Sequence, residues 1–290
     1  MSFTPPPPPP PGEHPYVPPR PDTGGGGSGS RDPGFASQLP APPTDRWGIG
    51  PGDAHPKATW RWWEAIMVFL FGLFIAGIVG SALEVATGMG EDARFFLFAV
   101  AGQVVPLVVL VGWLQLFHGT WRTVVGWPSK VWPEIRAGVL AGLAIYGIGV
   151  IGLGSLLSLL FGLFSQAPVE TPSQLPSDMG VAEIVAAGFM VIVGASVVEE
   201  LFFRGVFFRS LRVRRSFWVA GVGSSLLFGM AHLSVEEGSG WGGGLLLVTL
   251  MFFVGFGFAY IYERRGNILA NMIAHATFNT IGLVLIVLFS

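Results

Sequence analysis

Cysteine is absent from this 290-residue chain. That excludes a disulfide framework, a thiolate metal site and a cysteine nucleophile, and leaves no report of a redox compartment. Charge is scarce as well: Asp, Glu, Lys and Arg make up 12% of the residues, against about 25% in an average soluble domain. The basic residues form no folded patch, so nucleic acid is not an expected partner. No Gly-x-Ser-x-Gly elbow surrounds Ser196 or Ser225, and His-Glu-x-x-His does not occur. What the chain has in quantity is apolar surface: 51% hydrophobic residues and a mean hydropathy of +0.60. Such a balance belongs to a membrane protein.

Residues 1–59 differ in kind from the rest. They hold the run Pro5–Pro11, the block Gly24–Gly27 and 17 of the 23 prolines. Too little apolar area is present to offset the entropy of ordering, so a disordered, solvated tail is expected. It lacks the basic start and apolar core of a signal peptide. Seven apolar runs follow, at 62–83, 95–117, 136–164, 181–208, 217–232, 242–262 and 268–289. Most approach the ~20 residues that a span requires; the fifth is short. The expected fold is an all-α, polytopic membrane bundle of about seven transmembrane helices over residues 60–290. Trp60, Trp62, Trp63, Trp121, Trp127, Trp132, Trp218 and Trp241 cluster at the ends of the runs, as interfacial anchors do. Gly138 and Gly142 form a small-xxx-small pair that suits helix packing.

Orientation follows from counting charges. With the tail inside, the inner segments carry every basic residue except Arg94, while Glu91, Asp92, Glu170, Asp178, Glu236 and Glu237 fall outside. The positive-inside rule then predicts N-terminus cytoplasmic, C-terminus outside and seven spans; the expected location is a bacterial plasma membrane.

The chemistry concentrates where the bilayer should exclude it. Val191–Arg209 places Glu199 and Glu200 side by side late in an apolar run. One charge at the centre of a span costs about 2.5–3.5 kcal/mol on insertion scales, so two need a reason. Glu200 and Arg204 are four apart and share a helix face, where they can pair. Glu199 points about 100° away at ~3.6 residues per turn, without a built-in partner. Its partner should come from another helix. His232 ends the fifth run in Phe228-Gly-Met-Ala-His232, and the seventh carries Asn271, His275 and Asn279 at successive i, i+4 steps on one face. A carboxylate beside an imidazole can take a proton from water. A second imidazole with an amide can donate hydrogen bonds to a developing oxyanion. Gln103 reads as interhelical glue.

Glu199-Glu200-Leu-Phe-Phe-Arg204, Phe228-Gly-Met-Ala-His232 and His275-Ala-Thr-Phe-Asn279 resemble the three motifs of the type II CAAX prenyl endopeptidase and bacteriocin-processing family. These are intramembrane glutamic proteases with motifs EExxxR, FxxxH and Hxxx(N/D). Each motif alone is weak, but the ordered set is specific, and it covers about residues 181–282. The resemblance implies a metal-independent endopeptidase with no cofactor. In it Glu199 is the base, His232 helps hold the water, His275 and Asn279 form the oxyanion site, and Glu200, Arg204 and Phe228 support them. It also implies a peptide or protein substrate, in some members a prenylated one, within membrane lipid.

Two other readings compete. Glu199, His232 and His275 could be the three ligands of a zinc hydrolase. Alternatively the motifs could serve structure in a membrane scaffold, an immunity protein or a transporter, although no internal repeat of the transporter kind is visible. Two further expectations concern depth and access. Counted from the expected helix ends, His232 lies deeper than Glu199 or His275, so the fifth helix should begin below the interface. Arg209–Arg215 should form the basic rim of a water-filled cavity.

Overall fold

The computed structural model describes residues 58–88, 90–119, 121, 128–165, 180–233 and 240–289. Of two units, Met1–Pro42 and Pro43–Ser290, only the second contains described residues. The expectation of a disordered tail therefore falls outside them as far as residue 57, as do Trp127 and the side chain of Trp241.

Among the described residues, seven continuous helices of more than ten residues follow one another. They are α1 (Trp62–Thr87), α2 (91–118), α3 (131–165), α4 (181–212), α5 (Phe217–Ala231), α6 (Gly240–Arg265) and α7 (Ile268–Phe289). No strand occurs among the described residues. Among the described residues six helices are long and apolar enough to cross a membrane, and α5, with 15 residues, is not. At ~1.5 Å per residue it reaches about 22 Å, short of a hydrocarbon core of ~30 Å. The all-α membrane bundle expected from the sequence is the fold found, with six long spans and one short helix. About 39% of the α4 span and 44% of the α6 span is buried within the protein, against 11–22% for the others. These two helices form the centre, and the remainder present apolar side chains outward.

Close approach between helices is achieved through small residues. The inner face of α1 is Ala65, Gly72, Ala76 and Gly80. A Cβ on Gly72 would stand 2.8 Å from the Pro106 Cα of α2. The same device joins α3 to α7. A Cβ on Gly138 would lie 2.6 Å from the Ala270 carbonyl oxygen, and one on Gly142 would lie 2.5 Å from that of Ala274. Glu134 completes this contact by accepting from Arg265 Nε (2.8 Å) and Asn267 Nδ2 (2.9 Å). Asn267 in turn accepts from the Ala270 N–H and caps the start of α7. Since α7 carries His275, the glycine pair fixes where that imidazole stands. Gly142→Val is expected to destabilise the fold by about 1–3 kcal/mol through overpacking, read as earlier unfolding in mild detergent. Gly77→Val, where nothing lies within 4 Å of a Cβ, serves as the tolerant control.

Two expectations about the basic end are corrected. Arg209 and Arg212 are buried and do not form a rim. Arg212 is paired with Glu263, Nη2 to Oε1 at 2.6 Å, and Arg209 donates to the Tyr262 hydroxyl. Only Arg214 and Arg215 of the group are exposed, and Arg214 donates to the Trp60 and Ser210 carbonyls. Trp60 is no interfacial anchor either: it is 1% exposed and its indole N–H donates to the Val206 carbonyl at 3.1 Å. Thus the junction between tail and bundle is pinned onto α4. Trp62, Trp63, Trp132 and Trp218 do face outward. Arg212→Gln should be destabilising by about 3–5 kcal/mol, because it removes one charge of a buried ion pair, whereas Arg215→Gln should stay within about 0.5 kcal/mol of wild type. Paired unfolding curves check the contrast.

Candidate active site

The central helix α4 is not regular. It changes to π geometry at Met190–Ala195, returns to α for Ser196–Glu200, and widens again at Leu201–Phe208. Short π segments within α-helices are rare and occur often at functional sites. The two glutamates sit between them.

Glu200 is the hub of a sealed cluster. It is fully buried and accepts from Arg204 Nη1 (3.0 Å), Asn271 Nδ2 (2.7 Å) and His275 Nδ1 (2.9 Å). Arg204, equally buried, also donates from Nη2 to the Gly255 carbonyl at 3.0 Å. Its guanidinium lies 4.6 Å from the Phe228 ring centroid and 5.2 Å from that of Phe258. A buried charge is tolerable only when paired and hydrogen-bonded, and here both requirements are met. The expected Glu200–Arg204 pair is present, and Phe228 supports it through its ring. The i, i+4 pattern in the sequence places Asn271 on the right face without giving it a part in the site. The signal was its position one turn before His275.

Glu199 looks the other way. It is half-buried, and its Oε2 is buried without a hydrogen-bond partner. With His232, Gln103, Phe69, Phe203 and Leu233 it lines a cavity of about 430 Å³. His232 caps α5, and its Nδ1 lies 2.8 Å from the Phe228 carbonyl oxygen. A carbonyl only accepts, so Nδ1 carries the hydrogen, and in the neutral ring Nε2 is left as an acceptor.

Helix α4 runs on to Arg212, four residues past its expected end, and α5 begins at Phe217 as expected. Glu199 then lies 13 residues from the end of α4 and His232 lies 15 from the start of α5, both roughly 20 Å in at ~1.5 Å per residue.

The structure divides the predicted site residues. Glu199 and His232 share the cavity. His275 is turned to Glu200 and stacked on Phe258, centroids 4.8 Å apart, and neither it nor Asn279 lines that cavity. Asn279 donates from Nδ2 to the Val191 carbonyl at 2.7 Å. Gln103, read as glue, does bridge helices, Nε2 to the Met190 carbonyl at 3.2 Å, but it also borders the Glu199 cavity. Among the described residues no three carboxylate or imidazole groups are placed to hold a metal ion, so Glu199, His232 and His275 are not assembled as the zinc reading requires. Ser225 donates to the Gly221 carbonyl, and Ser196 faces a separate apolar cavity of about 980 Å³ between α2, α4 and α7.

Comparison with known proteins converges on the same stretch. Residues 181–281 match the model of the Rce1-like family, type II CAAX prenyl endopeptidase Rce1-like. This part of the chain is similar to that family. The matched segment holds Glu199, Glu200, Arg204, His232, His275 and Asn279. A Bacillus subtilis relative described as "Putative membrane peptidase YdiL" is 29% identical over 145 residues, 46% of this chain and 55% of the relative. The match thus spans about half of that protein's length. An Escherichia coli "Uncharacterized 24.3 kDa protein" is 26% identical over 209 residues, 70% of this chain and 86% of the relative. No solved structure matches the chain.

Proposed function

We propose that the protein is an intramembrane endopeptidase that hydrolyses a peptide bond with a water activated by Glu199 and His232. The observation that carries this reading is one cavity shared by a carboxylate oxygen without a partner and an imidazole with Nε2 uncommitted. Water held there gives a proton to the Glu199 carboxylate, and its oxygen attacks the carbonyl carbon. The C–N bond then breaks, and the amine departs with that proton. His275 and the second N–H of Asn279 are the donors proposed for the oxygen that gains charge. His275 donates from Nε2 as well as Nδ1 only as imidazolium, so this role requires the protonated ring.

The substrate is a peptide or protein reaching the site from the cytoplasmic side, and a lipidated one is compatible with the surrounding bilayer. The charge count supports an N-terminus in the cytoplasm of a multi-pass plasma-membrane protein. No cofactor or metal takes part. The test is cleavage of a peptide library by purified protein in lipid, read by mass spectrometry before and after exhaustive chelation. Cleavage should persist after chelation. Activity lost on chelation and restored by zinc alone would overturn the metal-independent mechanism.

A further inference from the structure

The π turn at Met190–Ala195 decides what Glu199 faces. A π turn accommodates one extra residue, which shifts the phase of everything downstream by about 100°. Were the turn regular, Val198 would take the direction Glu199 now has, and Glu199 would take that of Glu200. The separate surroundings of the two carboxylates therefore depend on this turn being kept. Two side-chain amides from two other helices hold it. Gln103 of α2 donates to the carbonyl of Met190, and Asn279 of α7 to that of Val191. Gly194 makes the first contact feasible: a Cβ there would lie 1.7 Å from Gln103 Oε1, so only glycine leaves the amide its place. Gln103 also borders the cavity with Glu199 and His232.

We infer that Gln103 is a positioning residue of the Glu199 site, locking the π turn of α4 against Gly194 so that Glu199 faces the cavity. This deepens the hydrolytic reading and rests on it. Gln103→Met keeps the length of the side chain and removes the amide. Gly194→Ala expels the amide by filling its place, and the clash is with the far end of a flexible side chain, so the helix itself need not move. Each variant should lower kcat on the order of tenfold to a hundredfold, as expected for a misplaced catalytic group, with KM within about twofold. The double variant should be no worse than either single one, because both remove the same contact.

The absence of cysteine supplies a readout independent of activity. Glu199→Cys in the intact protein should react readily with a small water-soluble maleimide, and Val198→Cys, at a position 6% exposed, should react slowly. Adding Gln103→Met, or Gly194→Ala if that variant folds better, should slow the first and speed the second. Labelling unchanged by both substitutions would overturn the inference, even if kcat fell. If the wild type cleaves nothing while the labelling still exchanges, the positioning stands and the hydrolytic reading fails.

Discussion

Glu200→Gln is expected to destabilise the protein by about 3–5 kcal/mol, the usual effect of removing one partner of a buried ion pair. The loss is large because Arg204 is 0% exposed and would keep the Gly255 carbonyl, the faces of its aromatic cage and the attraction of the Glu199 carboxylate, but no ion pair. Asn271 and His275 would lose their charged acceptor at the same time. Unfolding in mild detergent measures the effect directly. A companion variant separates lost charge balance from lost shape. Glu200→Gln with Arg204→Met leaves no buried charge without a partner, so it should recover part of the stability. A single variant within about 0.5 kcal/mol of wild type would mean that the cluster is not what holds α4, α6 and α7 together.

Glu199→Gln should behave in the opposite way. Its Oε2 makes no hydrogen bond in the fold, so an amide in its place should leave stability and membrane insertion unchanged. Cleavage should fall by a factor on the order of 10²–10⁴, the range attributed to a positioned general base. His232→Ala should fall similarly while folding normally, because its ring lies at the rim of the cavity and outside the sealed cluster. An active Glu199→Gln together with a folded but inactive Glu200→Gln would reverse the two roles.

Much of this division was legible in the sequence, because helical geometry alone separates adjacent residues by about 100° and joins residues four apart. That arithmetic anticipated the Glu200–Arg204 pair and the common face of Asn271, His275 and Asn279. It also marked Gly138 and Gly142 as a packing seam, which Ala270 and Ala274 now explain. What it missed depends on partners far apart in the chain. The bond from His275 to Glu200 spans 75 residues, and the Arg212–Glu263 pair spans 51. Nothing local distinguishes a buried arginine paired at such a distance from one at a rim. The π turns were invisible for a related reason. Hydrophobic periodicity reports which face is apolar, and in a helix apolar all round there is little phase to shift. The buried indole of Trp60 departs from the pattern by which tryptophan near a span end usually lies at the interface.

Direct attack by water at the Glu199 cavity is the central claim, and one measurement addresses it most closely. A single turnover run in ¹⁸O-labelled water and quenched early allows both product and protein to be weighed. Attack by activated water predicts one labelled oxygen in the new carboxyl group and a protein of unchanged mass throughout, with no product from Glu199→Gln. A transient protein species heavier by the acyl fragment would show a side-chain nucleophile and contradict the account.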